Sequence, residues 1–281
     1  MAEQPAVTAH RIAGGRLEVY RLPGGTGTPL LILGGVETGL RPLTGTEHVL
    51  ARRWEPRTPR RPVVVMGRPI ADDPADAERL MHPRLMADAV AGVLRDLPTP
   101  VAVEAESGGG RITLWLAVDH PELVTRLVLA SAASETPAGS PMAHRLEQWI
   151  SLAEANSWGH FFGRMAVQMR PAESDGAGSG SFTAAAQLQP RPSTPERFIG
   201  ELKATLDPGS FVTARLREIG VPALILAGGR DQVVPEAATR QVADGIPGAL
   251  FRVDPASGHT VRSSFHGYQE LVEAFLAEGD A

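Results

Sequence analysis

The sequence contains no cysteine, and this absence excludes several kinds of chemistry. A chain without thiols cannot form disulfides, cannot bind a metal through thiolates and has no cysteine nucleophile. Lysine is nearly absent too: among 27 basic residues only Lys203 is a lysine, and we assign no function to this arginine bias. Aromatic residues make up 5% of the chain, with two tyrosines and eight phenylalanines. We therefore expect a ligand pocket with little aromatic stacking.

Long hydrophobic runs and a strong charge of one sign are also missing. No apolar segment approaches the roughly 18 residues of a membrane span. The first residues, MAEQPAVTAHR, show no basic region followed by an apolar run. We therefore expect no signal peptide, no membrane association and a cytoplasmic location. The net charge of −5 argues against a broad nucleic-acid-binding surface. Oligomeric state cannot be inferred from these features.

What the 281 residues do contain is an alternation of short apolar runs and helical patterns. Paired glycines within residues 11–22 predict a β-hairpin. Six later runs have the continuous apolar character of parallel strands that are covered on both faces. These runs are residues 29–35, 61–69, 100–105, 123–131, 221–229 and 249–255. Strands alternating with helices predict an α/β fold with a mostly parallel, doubly wound sheet.

Residues 136–210 interrupt this alternation, because they contain helical stretches and no convincing strand. The interruption divides the chain into a predicted core, residues 1–135 and 211–281, and an inserted helical segment. Within the insert, residues 172–181 (AESDGAGSGS) are small, polar and rich in glycine. That composition is typical of a mobile loop.

Glycine-rich turns follow three of the predicted strands, so phosphate binding has to be considered. A dinucleotide fingerprint requires G-x-G-x-x-G. Gly108 and Gly110 fit its first two positions, but Thr113 occupies the third. After the first buried run, Val36 occupies the place of the second glycine, and no G-K-[ST] sequence occurs anywhere. Nucleotide binding at these turns is a poor fit, and we expect neither an organic cofactor nor a metal.

A different motif fits the turn after residues 100–105. The residues Ala105-Glu106-Ser107-Gly108-Gly109 approximate the G-x-S-x-G nucleophile elbow, with alanine in place of the first glycine. Small residues are needed two positions before and after the serine, because strand and helix backbones crowd there. The elbow alone leaves two interpretations open: Ser107 is a nucleophile, or it only caps the following helix.

Two further residues favour the nucleophile. An activated serine needs a base, and the base needs a carboxylate that orients it. Asp231 follows the run 221–229, and His259 follows the run 249–255. Parallel strands bring their carboxyl ends to one edge of the sheet, so we expect Ser107, Asp231 and His259 to converge there. The other seven histidines are interpreted as structural.

With these motifs in order, the sequence resembles the α/β-hydrolase-fold serine hydrolases, esterase-like enzymes with a helical cap. LVLASAAS, GGRDQVVP and SGHTVR are similar to family signatures, and the resemblance covers nearly the whole chain outside residues 136–210. It implies that this insert is a cap or lid over the active site. It also implies Ser107 as nucleophile, His259 as general base, Asp231 as its orienting carboxylate, and an oxyanion hole formed by the backbone N–H groups of Val36 and Gly108.

The chain departs from the family pattern at two places. The first active-site strand of the family usually ends in His-Gly, whereas Gly34-Gly35 stands here, which affects the expected loop geometry. Glu106 places a carboxylate beside the nucleophile. Left ionised nearby, it would raise the pKa of His259 and disfavour an oxyanion, so we expect its side chain to point away.

The resemblance implies hydrolysis of a carboxylic ester of a small-molecule acyl substrate through an acyl-enzyme. A serine at the elbow argues against epoxide hydrolysis and dehalogenation, for which the family uses aspartate. The same three residues also suit hydrolysis of a C–C bond, a lactone or a thioester, or acyl transfer. A non-catalytic member of the fold that binds a small ligand under its cap is the remaining alternative.

Overall fold

The computed structural model describes residues 6–171, 184, 186–189, 191–192 and 194–280. Its centre is one sheet, to which the described residues contribute nine strands. The strands are β1 (Ala6–Ile12), β2 (Gly15–Leu22), β3 (Leu30–Leu33), β4 (Val63–Met66), β5 (Ile70–Ala71), β6 (Val101–Glu106), β7 (Val124–Ala130), β8 (Ala223–Gly228) and β9 (Leu250–Asp254). All six predicted parallel runs and the predicted hairpin are confirmed.

The order of the strands is β1-β2-β4-β3-β6-β7-β8-β9, with the short β5 paired to β2. Strands β1 and β2 form the antiparallel hairpin, and Gly14 in its turn has a φ of +80°, a conformation that glycine adopts without strain. The pairings from β4 through β3, β6, β7 and β8 to β9 are all parallel. The prediction of a mostly parallel sheet is confirmed, and the carboxyl ends of these six strands share one edge.

Helices cover both faces of the sheet. In chain order they are α1 (Val36–Leu40), α2 (Glu47–Trp54), α3 (Pro83–Leu94), α4 (Gly108–Asp119), α5 (Pro141–Glu154), α6 (Trp158–Gln168), α7 (Pro195–Leu206), α8 (Glu236–Gly245), α9 (Val261–Ser264) and α10 (Tyr268–Ala277). Buried side chains of α3, α4 and α8 form a core with one face, and those of α2 and α10 with the other. The sheet is therefore doubly wound, as predicted.

Strand β3 shows why the sheet strands are apolar without alternation. Leu31 and Leu33 belong to the core on one face, whereas Leu30 and Ile32 belong to the core on the other. Because successive side chains point to opposite faces, a strand with a core on each side must be apolar at every position. The same arrangement holds the end of each central strand rigidly at the shared edge.

Helices α5, α6 and α7 lie between β7 and β8, where the sequence predicts a helical insert, and further helical residues are described at positions 184, 186 and 187. That residues 136–210 act as a cap stays a prediction. The proposed mobile loop at residues 172–181 lies outside the described residues. Within the part of the chain that is described, no helix is long and apolar enough to cross a bilayer.

Candidate active site

Ser107 occupies a sharp turn between β6 and α4. Its backbone has φ 53° and ψ −121°, which is a costly conformation for a residue with a side chain. The Ser107 hydroxyl makes no capping bond to α4, so the helix-cap interpretation is not supported. The Ser107 N–H donates to the carbonyl oxygen of Ala130 at 2.9 Å, which fixes the turn against the end of β7.

Crowding at the turn explains why small residues follow the serine. A Cβ added to Gly109 would lie 2.3 Å from the carbonyl oxygen of Leu33 and 2.6 Å from that of Gly34. One added to Gly110 would lie 2.4 Å from Cβ of Ala132. The requirement for a small residue two positions after Ser107 is therefore confirmed, since the obstacle at Gly109 is backbone that cannot move aside.

The structure brings Ser107, His259 and Asp231 together in one chain of hydrogen bonds. The distance from His259 Nε2 to Ser107 Oγ is 2.9 Å, and that from His259 Nδ1 to Asp231 Oδ2 is 2.8 Å. Asp231 Oδ1 accepts from the backbone N–H groups of Val233 at 2.7 Å and Val234 at 2.9 Å. Both carboxylate oxygens are thereby held, and the side chains of Asp231 and His259 are 1% and 3% exposed.

This arrangement defines the proton positions on the imidazole. An ionised carboxylate can only accept hydrogen bonds, so Nδ1 of His259 is the protonated nitrogen. In the neutral ring, Nε2 then accepts from the Ser107 hydroxyl. Burial lowers the pKa of His259, but the negative charge and hydrogen bond of Asp231 together with the charge of Glu106 raise it more, so that the net pKa lies above the ordinary value.

That the Glu106 side chain points away from the site stays a prediction. The residue lines the same cavity as Ser107, and its charge is one of those that raise the pKa of His259. By the period of the strand, Glu106 shares a face with Glu104, the face of the sheet that also packs against the segment after His259. The direction of its effect on the pKa of His259 agrees with the sequence analysis.

Val36 and Gly108 lie side by side next to Ser107. A Cβ added to Gly108 would be 3.1 Å from Cγ2 of Val36, and one added to Gly35 would be 3.3 Å from Cβ of Ser107. Val36 and Gly108 are the first residues of α1 and α4, so their N–H groups have no acceptor within the helix. Among the described residues neither N–H has an acceptor, so both can bind an anion at this point, although their role as an oxyanion hole stays a proposal.

A cavity of about 290 Å³ opens over Ser107. Its apolar lining comes from the core and from α5 and α6, and includes Trp149, Phe161 and Phe162. The expectation of a pocket poor in aromatic side chains is therefore wrong. Trp149, Trp158, Phe161, Phe162 and Phe198 form a cluster of ring contacts with centroids 5.1–6.4 Å apart. The whole-chain composition is low, but packing concentrates the aromatic residues in one place.

Charged side chains that the sequence analysis did not single out also lie at the cavity. Glu201 of α7 lines it and is 2% exposed. The guanidinium of Arg68, which follows β4, binds Glu201 at 2.8 Å. Arg111 also lines the cavity, and burial lowers its pKa to about 10. The sequence holds one signal for Arg68, namely its position near the end of the predicted run 61–69, at the edge where the other site residues lie.

Four of the five N–H donors of Arg111 bind protein oxygens. Its guanidinium donates to the carbonyl oxygens of Ala133 and Thr205 and to the hydroxyls of Ser210 and Thr136, at 2.7–3.2 Å. These bonds connect α4 to α7 and to the segment after β7. Arg111 therefore has little capacity left to bind an anionic substrate. The described part of the chain contains no group of three or more His, Asp or Glu side chains placed to hold a metal ion.

A mostly parallel, doubly wound sheet with a serine elbow after the central strand, a histidine in contact with that serine and an aspartate in contact with that histidine defines the α/β-hydrolase class. The profile of one family of this class, described as serine aminopeptidase, S33, matches residues 84–261, which is more than half of the chain. The chain belongs to this family of α/β-hydrolases.

Individual relatives agree with this assignment. The chain is 28% identical to 2-hydroxymuconate semialdehyde hydrolase of Pseudomonas sp. (strain CF600) over 269 residues, which cover 92% of this chain and 89% of that protein. Among solved structures, a bromoperoxidase from Bacillus anthracis superposes with a TM-score of 0.74 at 16% identity, covering 97% and 100% of the two chains. The esterase EaEST from Exiguobacterium antarcticum gives 0.70 at 19% identity, covering 96% and 97%. At these identities the structural matches establish the fold.

Proposed function

We propose that the protein hydrolyses a carboxylic ester of a small, uncharged molecule through an acyl-enzyme on Ser107. The observation that supports this best is the continuous hydrogen-bond chain from Ser107 through His259 to Asp231. This hydrogen-bond chain begins at Ser107, whose turn has a positive φ and lies at the cavity beside the backbone N–H groups of Val36 and Gly108, the first residues of two helices.

In the proposed reaction, His259 Nε2 takes the Ser107 proton while Oγ attacks the ester carbonyl carbon. The carbonyl oxygen becomes an oxyanion held by the N–H groups of Val36 and Gly108, a contribution of roughly 3–4 kcal/mol per donor in measured cases. The imidazolium then gives its proton to the departing alcohol, which leaves the acyl group on Ser107. A water molecule, activated by the same imidazole, hydrolyses this acyl-enzyme. Asp231 keeps the tautomer and stabilises the imidazolium throughout.

The character of the cavity supports an uncharged substrate. Its volume of about 290 Å³ is at the lower end for small-molecule sites. Glu106 contributes negative charge to its lining, Glu201 is paired with Arg68, and the N–H groups of Arg111 are occupied by protein oxygens. Side chains of α5, α6 and α7 line the cavity, which supports a cap role for residues 136–210.

The relative from Pseudomonas favours a second candidate. 2-Hydroxymuconate semialdehyde is by its name a carboxylate without an ester group, so its hydrolysis breaks a carbon–carbon bond. The same serine, histidine and aspartate could perform this step. Arg111 has little hydrogen-bonding capacity left for a carboxylate, and among the described residues no other arginine or lysine lines the cavity, so we rank ester hydrolysis first.

A fluorophosphonate probe tests the proposed nucleophile. The probe should label the protein once, at Ser107, and labelling should vanish in Ser107→Ala. Ser131→Ala is the matched control, because Ser131 also has a positive φ (48°) and follows the neighbouring strand β7. That variant should label like the parent. A folded protein that never labels would contradict the hydrolase proposal and favour a ligand-binding member of the fold.

Turnover assays then separate the two reactions. The parent and Ser107→Ala should be assayed with p-nitrophenyl esters of two to eight acyl carbons and with 2-hydroxymuconate semialdehyde. We expect ester turnover with a preference for short acyl chains. A kcat/KM for the semialdehyde that exceeds that for every ester would replace ester hydrolysis by the second candidate.

A further inference from the structure

Arg68 and Glu201 form a buried ion pair at the edge of the candidate site. Arg68 Nε lies 3.1 Å from each carboxylate oxygen of Glu201, and its terminal nitrogen lies 2.8 Å from Oε1. Both residues are 2% exposed. Arg68 follows β4 in the sheet, whereas Glu201 belongs to α7 in the helical insert. The pair therefore connects the two parts of the chain at a point where water does not screen its charges.

The same guanidinium holds the segment before α1. Its terminal nitrogen donates to the carbonyl oxygen of Gly34 at 2.9 Å, and the Arg68 backbone N–H donates to that of Gly39 at 2.9 Å. The carbonyl oxygen of Gly35 accepts from the Gly39 N–H at 2.7 Å. In a trans peptide the N–H points opposite to the carbonyl, so this last bond turns the Val36 N–H away from α1. The side chain of Arg68 thus contacts Gly34 and its backbone contacts Gly39, so Arg68 binds the chain on both sides of Val36.

Glu201 places a negative charge where the proposed reaction develops one. A Cβ added to Gly108 would lie 2.8 Å from Oε1 of Glu201, so the carboxylate is adjacent to the second donor. An unopposed carboxylate there would destabilise an oxyanion. The guanidinium of Arg68 is the group bound to it, whereas nearby Arg197 donates to the carbonyl oxygens of Arg68 at 2.8 Å and Leu40 at 3.5 Å.

We infer that Arg68 is a positioning residue for the proposed hydrolase, an inference that rests on the proposed function. It orients the Gly34–Val36 segment and cancels the charge of Glu201 beside Gly108. Lysine cannot reproduce these contacts, because it has no counterpart of Nε, which lies 3.1 Å from both carboxylate oxygens while the terminal nitrogen binds Oε1 and the Gly34 carbonyl.

Kinetics of Arg68→Met test the inference with p-nitrophenyl butyrate as substrate. We expect kcat to fall about 100-fold, the effect of losing one oxyanion donor, with KM within threefold. The affinity for a short-chain trifluoromethyl ketone, which forms an oxyanion on the serine, should fall in parallel. Arg68→Lys should lose most of kcat as well. A kcat within threefold of the parent in either folded variant overturns the inference.

Substitutions of the two partners should change the affinity for the ketone in opposite directions, and this distinguishes an electrostatic role of the ion pair from a purely structural one. Glu201→Gln removes the negative charge and leaves the guanidinium, so the ketone should bind more tightly than to the parent. Equal losses of ketone affinity in Glu201→Gln and Arg68→Met would show a purely structural pair and overturn the inference. The double variant Arg68→Met/Glu201→Leu leaves no unpaired buried charge and should fold. It should still lose kcat, and a kcat equal to that of the parent would overturn the anchoring of Gly34.

Hydrogen exchange provides a readout that does not depend on turnover. Peptides that cover residues 34–40 should exchange faster in Arg68→Met than in the parent, and unchanged exchange would overturn the positioning role. Arg84→Met is the matched control, because it removes an ion pair with Asp119 on a different side of α4. Labelling of Ser107 by a fluorophosphonate reports on the proposed function alone. A parent protein that does not label contradicts the proposed function, whereas a labelled parent with unchanged kinetics in Arg68→Met contradicts only the Arg68 inference.

Discussion

Replacing Asp231 by asparagine removes one charge and almost no volume, and the structure determines which way the new amide faces. Asp231 Oδ1 accepts two backbone N–H groups, from Val233 and Val234, whereas Oδ2 faces His259 Nδ1. If the amide nitrogen faced the two N–H groups, two buried donors would lose their acceptor, at a cost of roughly 1–3 kcal/mol each. The amide oxygen therefore stays with the backbone, and the amide NH₂ faces His259.

That orientation reverses the proton positions on the imidazole. An NH₂ group donates, so Nδ1 of His259 must accept, and the proton of the neutral ring moves to Nε2. Nε2 lies 2.9 Å from Ser107 Oγ and can then no longer take the serine proton. We expect kcat/KM to fall by a factor of roughly 10⁴, as in other triads that hold the wrong tautomer. At 1.36 kcal/mol per factor of ten, this is a loss of about 5 kcal/mol of transition-state stabilisation.

The assay is kcat/KM for a p-nitrophenyl ester, together with the rate of fluorophosphonate labelling and the thermal midpoint of each variant. Asp73→Asn is the matched control, because Asp73 also accepts a backbone N–H, from Ala75 at 2.9 Å, but lies in an exposed turn. It should retain kcat/KM within about twofold of the parent. A loss smaller than tenfold in a folded Asp231→Asn protein would refute the assignment of the tautomer to Asp231.

Three further predictions concern the base and the elbow. The base works as the neutral imidazole, and the pKa of His259 lies above its ordinary value. We therefore expect kcat/KM to rise with pH through an apparent pKa above 6.5, and a midpoint below 6 in the measured pH profile would contradict this. Glu106→Gln removes one of the charges that raise the pKa of His259, so the same profile should move to lower pH, and an unchanged profile would count against it. Gly109→Ala should unfold more easily and lose activity because its Cβ meets backbone at 2.3 Å. Gly92→Ala is the control, at an open and exposed helix position, and should be stabilised by up to about 1 kcal/mol in denaturant unfolding. Equal denaturation midpoints for Gly109→Ala and Gly92→Ala would be inconsistent with crowding at Gly109.

The elements that could be predicted are those whose signal is local in the sequence. The six parallel strands are predominantly apolar without strict alternation, and each ends in or is followed by glycine or polar residues, so their existence follows from the pattern. Ser107, Asp231 and His259 could be found because each comes shortly after such a strand. In contrast, no local pattern predicts that Glu201, about 130 residues beyond Arg68, is bound to it.

The wrong expectation about aromatic residues and the direction of the Glu106 side chain have the same physical origin. Aromatic content is a property of the whole chain, but side-chain packing collects Trp149, Phe161 and Phe162 from two helices around one cavity. The direction of Glu106 depends on which face of the sheet the segment after His259 packs against, and that choice is made by contacts far apart in sequence.

The sequence by itself determined the fold class, the order of the site residues and the edge at which they meet. Each of these depends on strand periodicity and on the rule that parallel strands end together. The tertiary structure alone decided the hydrogen-bond distances, the pKa direction of His259, the lining of the cavity and the pairing of Arg68 with Glu201. These depend on side chains whose neighbours are set by the packing of separate helices onto the sheet, because short-range order along the chain does not specify which surfaces meet.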